Sequence, residues 1–167
     1  KIRALLHRDG DFMNVEETEK WCQGFKTPGV FPWVTAGSDI EAYFCESDYL
    51  CALYGVSLER AEEWRQEAAK KVNGARATFL EKRKNVVRSI WPNGGSPNAE
   101  AMWDEAGGIS PVTVKGKLLH AALKPIVKAA GKDPALLDSY VIPITFTMAP
   151  ALKALLEQAV ASAVEAK

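Results

Sequence analysis

The sequence predicts an α/β fold in which a small parallel sheet comes first and helices follow. Within the first 35 residues the pattern runs strand, helix, strand, an order typical of parallel sheets. Beyond residue 40, apolar residues recur mainly at helical spacing. The chain has 167 residues, 47% of them apolar and 25% charged, which fits one globular domain and disfavours disorder.

The front of the chain supplies the predicted strand–helix–strand unit. The apolar run at residues 2–6 predicts a buried strand that leads into a turn. Asn14, with Glu17 three residues later, is a capping-box pattern and predicts a helix over about residues 15–25. Residues 30–35 then predict a second strand.

The rest of the chain is predicted to be mainly helical. Residues 57–91 indicate a long helical insertion, which Gly74 divides in two. Residues 114–130 predict a helix that Pro125 kinks or splits into two shorter ones. The β-rich stretch at 140–146 contains a proline and is therefore an edge strand or a loop.

The last stretch of the chain has an amphipathic pattern that predicts a terminal helix. Its apolar positions are Met148, Leu152, Leu155, Leu156, Ala159, Val160 and Ala163. We expect this helix either to pack on the core or to pair with a second copy as a homodimer.

The charges are balanced in sum but not in position. Residues 9–67 carry 13 acids and 4 bases, whereas residues 68–167 carry 8 acids and 14 bases. An acidic half suits metal cations and a basic stretch suits phosphate, although solvated helix faces give the same pattern.

Cysteine and histidine usage narrows the class of protein. Three cysteines without a CxxC pair argue against a disulfide framework and a thiolate zinc site, and favour a reducing, cytoplasmic setting. Only two histidines are present, which leaves little for a multi-histidine metal site. No apolar run reaches the roughly 18–20 residues of a membrane span, so we expect no membrane partner.

Two pairs of acids follow the two predicted strands. Asp9 and Asp11 flank Gly10 after the first strand, and Asp39 and Glu41 follow the second. Since the ends of parallel strands share one edge of a sheet, these acids can face one cleft, where carboxylate oxygens suit Mg²⁺ or Mn²⁺. The sequence therefore predicts one or two divalent ions, which can serve phosphoryl transfer. An ordinary turn at the first pair and helix capping at the second remain alternatives.

A third candidate lies far downstream, at Lys115-Gly116-Lys117 before an apolar helix. A lysine in that position can neutralise charge on a phosphate or on a transition state. The upstream glycine of a nucleotide-binding P-loop is missing, so that motif is excluded. A solvated helix start is the alternative interpretation.

These motifs resemble the Toprim domain of OLD-family (overcoming lysogenization defect) ATP-dependent nucleases. Arg8-Asp9-Gly10-Asp11 looks like the family's DxD motif, and Asp39-Ile40-Glu41-Ala42-Tyr43-Phe44 is similar to its acidic IE-x-Y segment. Gly116-Lys117-Leu118-Leu119 is similar to the GK-x-L element. The three elements occur in the family's order over about residues 2–120.

The resemblance implies a Rossmann-like Toprim sheet and a domain that cuts or nicks DNA. It assigns Asp9 and Asp11 as metal ligands, and Asp39 and Glu41 to a second metal or to activation of water. Lys117 would stabilise the transition state. Such domains usually follow an ABC-type ATPase domain on one polypeptide, and a role in phage defence is implied. A catalytically degenerate Toprim scaffold beside a partner ATPase is the alternative.

One motif of the family is missing from the chain. The family's first motif is a Glu on the strand before the DxD strand, whereas this sequence begins at the DxD strand. We therefore expect residues 1–167 to form a single Toprim-like domain that is partial at its N-terminus. Such a fragment would bind metal weakly and cut DNA poorly.

The basic stretch then becomes a candidate DNA contact. Its members are Lys70, Lys71, Arg76, Lys82, Arg83, Lys84 and Arg88. They would hold the DNA backbone without reading its sequence. Three of them are consecutive and must fan around a helix, which weakens the case for one continuous stripe.

Overall fold

The computed structural model describes residues 3–164. Its first three elements form the predicted strand–helix–strand unit. Strand β1 is Ala4–Arg8, helix α1 is Val15–Gln23 and strand β2 is Val30–Val34. The two strands pair in parallel, from Ala4 opposite Val30 to Arg8 opposite Val34. The predicted parallel sheet is confirmed, and within residues 3–164 it contains these two strands.

Helices make up most of the remaining described chain. They are a 3₁₀ helix at Ile40–Cys45, α2 at Ser47–Tyr54, α3 at Leu58–Lys71, α4 at Ala75–Ile90, α5 at Ala99–Glu105, α6 at Gly116–Ala129, α7 at Ala135–Asp138 and α8 at Pro150–Val164. Among these described helices, none is long and apolar enough to cross a membrane.

Local sequence signals explain several helix boundaries. The Asn14 side chain accepts a hydrogen bond from the Glu17 amide, and the Glu17 carboxylate accepts one from the Asn14 amide, so the predicted capping box is confirmed. Gly74 adopts φ 69° between α3 and α4, which confirms the predicted division. Pro125 lies inside α6, which continues as one helix rather than splitting in two.

The segment at residues 140–146 forms a loop in the structure. Of the two predicted alternatives, an edge strand or a loop, the second is correct. The proline removes one backbone donor, and Val141, Ile142 and Ile144 remain exposed.

The main core lies between the helices, and a smaller cluster covers the sheet. Trp64, Leu119 and Leu123 are buried in the main core, where α6 packs against α3 and the 3₁₀ helix. The smaller cluster joins Trp33 and Tyr43 to the start of α8, with Leu152 and Leu155 partly buried against it. The core interpretation of the terminal helix therefore holds for these two leucines. Leu156 and Val160 are exposed, at 45% and 65%.

Candidate functional site

The loops that follow the two strands are joined by hydrogen bonds. The Gly10 amide donates to Thr35 Oγ1 at 2.8 Å, and the Asp11 amide donates to the Ser38 carbonyl at 2.8 Å. A β-carbon on Gly10 would overlap the carbonyl oxygens of Thr35 and Gly37, so the first acidic pair requires glycine between its members. The two predicted acidic segments are thus neighbours at one edge of the sheet.

The turn after β1 has an unusual backbone. Asp11 and Phe12 adopt φ values of 46° and 64°, in the left-handed region that side chains disfavour. Each such residue costs about 1 kcal/mol or more unless its surroundings hold it in place. The inter-loop hydrogen bonds from the Asp11 and Phe12 amides provide this restraint and hold the backbone of the turn in place.

The start of α6 meets the same edge. The Gly116 amide donates to Ser38 Oγ at 2.7 Å, and the Lys117 amide lies 3.4 Å from Asp39 Oδ2. Lys115 Nζ is 3.9 Å from the same Asp39 oxygen. Asp39 precedes the 3₁₀ helix but makes no side-chain capping bond there, so its carboxylate serves a distant helix instead.

Asp39 is the most buried of the candidate acids. The residue is 3% exposed, and its Oδ1 atom is buried with no hydrogen-bond partner among the described residues. Burial raises the pKa of Asp39, with a further rise from the Glu41 charge, against lowering by the Lys117 amide and by Lys115. A buried carboxylate oxygen without a hydrogen-bond partner favours the binding of a cation or a proton at this position.

Lys82, on α4, enters the site. Its Nζ lies 2.9 Å from Asp11 Oδ1, with the two side chains 27% and 17% exposed. The hydrogen bond with Asp11 raises the pKa of Lys82, and the charges of Asp11, Asp9 and Asp39 add to that rise. Three of the four predicted metal ligands therefore act electrostatically on one ammonium group.

The side chains of Asp9 and Glu41 are less constrained than those of Asp11 and Asp39. Asp9 is partly exposed, with Oδ1 at 3.8 Å from His7 Nε2. Glu41 is half-buried, makes no ion pair within the described part of the chain, and raises the pKa of Asp39 through its charge. In residues 3–164, no group of three or more His, Cys, Asp or Glu side chains is close enough to hold a metal ion as it stands.

The residues nevertheless fit a hard divalent cation in their chemistry. The donors are all carboxylate oxygens, one oxygen of Asp39 is buried and unpartnered, and a cationic group already lies against Asp11. Gly116 has no room for a β-carbon beside Asp39 Oδ1, so α6 approaches this carboxylate closely. Asp9, Asp11 and Asp39 are the residues that would hold the ion, and the charge of Glu41 acts on Asp39 beside them.

Lys117 lies at the first turn of α6. Its backbone amide faces Asp39, and its exposed side chain makes no ion pair with any described residue. The amide end of a helix carries partial positive charge. The amide end of α6 and the Lys115 ammonium, 3.9 Å from Asp39 Oδ2, form the positive side of the site.

The seven predicted DNA contacts separate into different groups. Lys71 pairs with Glu67 at 2.5 Å, and Arg76 pairs with Glu100. Lys70, Lys84 and Arg88 are exposed and make no ion pair within the described residues. Lys82 contacts Asp11 instead of lying free on the surface.

The prediction for Arg83 is wrong. Its guanidinium is fully buried, where it donates to both carboxylate oxygens of Glu17 and to the Phe12 carbonyl. A residue in this position cannot contact a phosphate, since it is withdrawn from solvent. Successive residues on a helix point about 100° apart, which explains why neighbours of Arg83 reach solvent and it does not.

Two residues of the site are absent from the sequence-based assignment of site residues, and a third has a different role in it. Thr35 and Ser38 supply the hydroxyl groups that accept from Gly10 and Gly116. Lys82 was predicted to contact DNA rather than an acid. The signal available in the sequence is the pair of hydroxyl residues just after β2, which are suited to satisfying loop amides.

No family model, curated protein or solved structure matches the chain. The resemblance to Toprim domains therefore depends on the three short motifs. The hydrogen bonds among residues 10, 11, 35, 38 and 116 show that these motifs are neighbours in space as well as ordered in sequence.

Proposed function

We propose that the chain is a Toprim-like nuclease domain that hydrolyses DNA phosphodiester bonds with Mg²⁺ or Mn²⁺. The observation that supports this most directly is the meeting of the DxD turn, the Asp39–Glu41 segment and the start of α6 at one edge of a parallel sheet. Ser38 joins all three, since its carbonyl accepts from Asp11 and its hydroxyl accepts from Gly116. Open α/β sheets place their ligands at such strand ends.

The chemistry divides among the residues of this edge. Asp9, Asp11 and Asp39 would hold the divalent cation, and the bound cation would supply positive charge beside the scissile phosphate. Glu41, which makes no ion pair with a described residue, takes the proton from the attacking water. Lys117 and the amide end of α6 stabilise the negative charge that grows on the phosphate oxygens.

DNA binding is assigned to lysine and arginine side chains that make no ion pair with described acids. Lys84 and Arg88 are one helical turn apart on α4, and with Val87 they line a groove of about 610 Å³ beside the loop at residues 96–98. Contacts of this kind hold the phosphate backbone without reading sequence. Following the resemblance, we place this domain with an ABC-type ATPase domain, on the same or a partner chain, in phage defence.

Two measurements test the nuclease proposal. Mn²⁺ titration monitored by electron paramagnetic resonance should show binding to the chain, with weaker binding for Asp11→Asn. Nicking of supercoiled plasmid in Mn²⁺, measured on a chain extended by the expected upstream strand, should fall by at least about 10²-fold for Glu41→Gln, the lower range for loss of a general base. Glu19→Gln, an exposed acid on α1, is the matched control and should change neither quantity. Failure of the unaltered chain to bind Mn²⁺ would contradict the proposal.

A catalytically degenerate scaffold for a partner ATPase is the second candidate. The observation that favours it is the Lys82–Asp11 contact, because a lysine that permanently neutralises the acids removes the need for a metal. Mn²⁺ binding separates the two functions, since a scaffold needs none. A scaffold would retain its fold and leave plasmid intact in Mn²⁺.

A further inference from the structure

The contact between Lys82 and Asp11 is held in place by the residues next to each of them. Arg83 follows Lys82 on α4, and its Nη1 donates to the carbonyl of Phe12, the residue after Asp11, at 3.1 Å. The same guanidinium is fixed by Glu17 at 2.6 and 2.7 Å in a fully buried pair. The α4 backbone at Lys82 is therefore anchored beside the DxD turn, so the contact differs from a chance meeting of two surface side chains.

The Lys82 ammonium occupies an electrostatic position suited to a cation. The negative charges of Asp9, Asp11 and Asp39 all act on it. These are the carboxylates assigned to the divalent ion, and one oxygen of Asp39 remains buried without a partner. An ion that approached Asp11 would meet the positive charge of Lys82 at close range, and charges this close repel strongly in a partly buried setting.

We propose that Lys82 is a built-in counter-cation that competes with the divalent metal for Asp11, and that its side chain withdraws when the metal binds. This inference rests on the proposed metal site. The flexible stem of a lysine allows the movement, because its head group needs to swing only from a partly exposed position into solvent while α4 stays anchored through Arg83. Metal binding and the Lys82–Asp11 contact are then mutually exclusive.

The competition should appear in Mn²⁺ affinity. Lys82→Met keeps the apolar stem and removes the charge, so we expect it to bind Mn²⁺ about tenfold more tightly than the unaltered chain. Lys128→Met is the control, since Lys128 is an exposed lysine on α6 without an ion pair among described residues, and its loss changes the net charge equally. Thermal unfolding of both variants verifies that they are folded.

A second measurement needs no substitution. Acetylation of Lys82 by an N-hydroxysuccinimide ester, followed by mass spectrometry, reports how accessible its amine is. We expect Mn²⁺ to accelerate acetylation of Lys82 severalfold and to leave Lys128 unchanged. An unchanged Lys82 rate at saturating Mn²⁺ would refute the competition.

The outcomes distinguish this inference from the proposed function. Equal or weaker Mn²⁺ binding by Lys82→Met, with binding retained by the unaltered chain, overturns the counter-cation and leaves the nuclease proposal standing. Binding by Lys82→Met alone supports competition between Lys82 and the metal for Asp11 but contradicts the nuclease proposal, since the unaltered chain then holds no metal. If neither the unaltered chain nor Lys82→Met binds Mn²⁺, both the counter-cation inference and the nuclease proposal are overturned.

Discussion

The guanidinium of Arg83 and the carboxylate of Glu17 form two parallel hydrogen bonds, at 2.6 and 2.7 Å, with both side chains fully buried. The contact joins α4 to the first turn of α1. Trp91 Nε1 donates to the same carboxylate at 3.0 Å, and the Asn14 amide completes its partners. A single glutamate thus caps its own helix and holds a helix that lies 66 residues further along the chain.

Glu17→Gln should destabilise the protein strongly. The amide keeps the size of the side chain but leaves the Arg83 charge buried without a counter-charge, which typically costs about 3–5 kcal/mol. Urea unfolding followed by circular dichroism gives the change in free energy. Glu19→Gln, on the exposed side of α1, should shift it by less than about 0.5 kcal/mol. A loss at Glu17 as small as that of Glu19 would argue against a buried ion pair.

Glu17 also makes the free energy of unfolding depend on pH in the acidic range. Burial alone would raise the pKa of Glu17, but hydrogen bonds from Arg83, the Asn14 amide and Trp91, with the Arg83 charge, outweigh it and hold that pKa below its ordinary value. The unfolded chain then binds the proton more readily. The stabilisation is complete above the ordinary glutamate pKa of about 4.3, and it is lost as the pH falls from there through the lower folded-state pKa.

Urea midpoints measured from pH 7 to pH 3 test this dependence. The unaltered chain should lose stability on the acid side more steeply than Glu17→Gln, which has no carboxyl group to protonate at that position. Parallel curves for the two proteins would show that another carboxylate carries the effect.

Gly10→Ala should disrupt the junction of the two loops. The new methyl group would overlap the carbonyl oxygens of Thr35 and Gly37, which are backbone atoms and cannot turn away. We expect a loss of about 2 kcal/mol or more in unfolding free energy, as for other overpacked sites, together with weaker Mn²⁺ binding. Gly24→Ala is the control, because Gly24 has helical φ and looser surroundings, and it should change stability by less than about 1 kcal/mol.

Asp39→Asn should separate stability from metal binding. Burial raises the pKa of Asp39, so the folded state disfavours its charged form, and stability falls as the pH rises through the raised pKa. Removal of the charge should leave the protein at pH 7 equally stable or up to about 1 kcal/mol more stable. Mn²⁺ affinity should fall, because a charged ligand is lost. A variant that is less stable at pH 7 and binds Mn²⁺ normally would contradict both assignments.

Local signals in the sequence predicted the local parts of the fold. Asn14 and Glu17 specify the start of α1 because the capping box involves neighbouring residues only. Gly74 separates two helices because its left-handed backbone suits glycine. The parallel pairing of β1 and β2 follows from the intervening helix, which requires a crossover connection.

The different environments of Lys82, Arg83 and Lys84 could not be predicted from local sequence signals. The three are consecutive on α4, yet the first contacts Asp11, the second is buried against Glu17 and the third is exposed. The fan around the helix was predictable, but which direction faces the core depends on how α4 packs against α1. The sequence around Glu17 did not indicate a buried ion pair, because the capping role of Glu17 was sufficient to explain a glutamate at that position.

Ser38 has a consequence for how the edge of the sheet moves. Its hydroxyl holds the Gly116 amide in a buried hydrogen bond, and α6 continues from there into the main core through Leu119 and Leu123. That amide can exchange its hydrogen with deuterated water only when α6 itself detaches. We therefore expect Gly116 to exchange as slowly as the helix interior, since the rim of the site opens only with the cooperative unit beneath it.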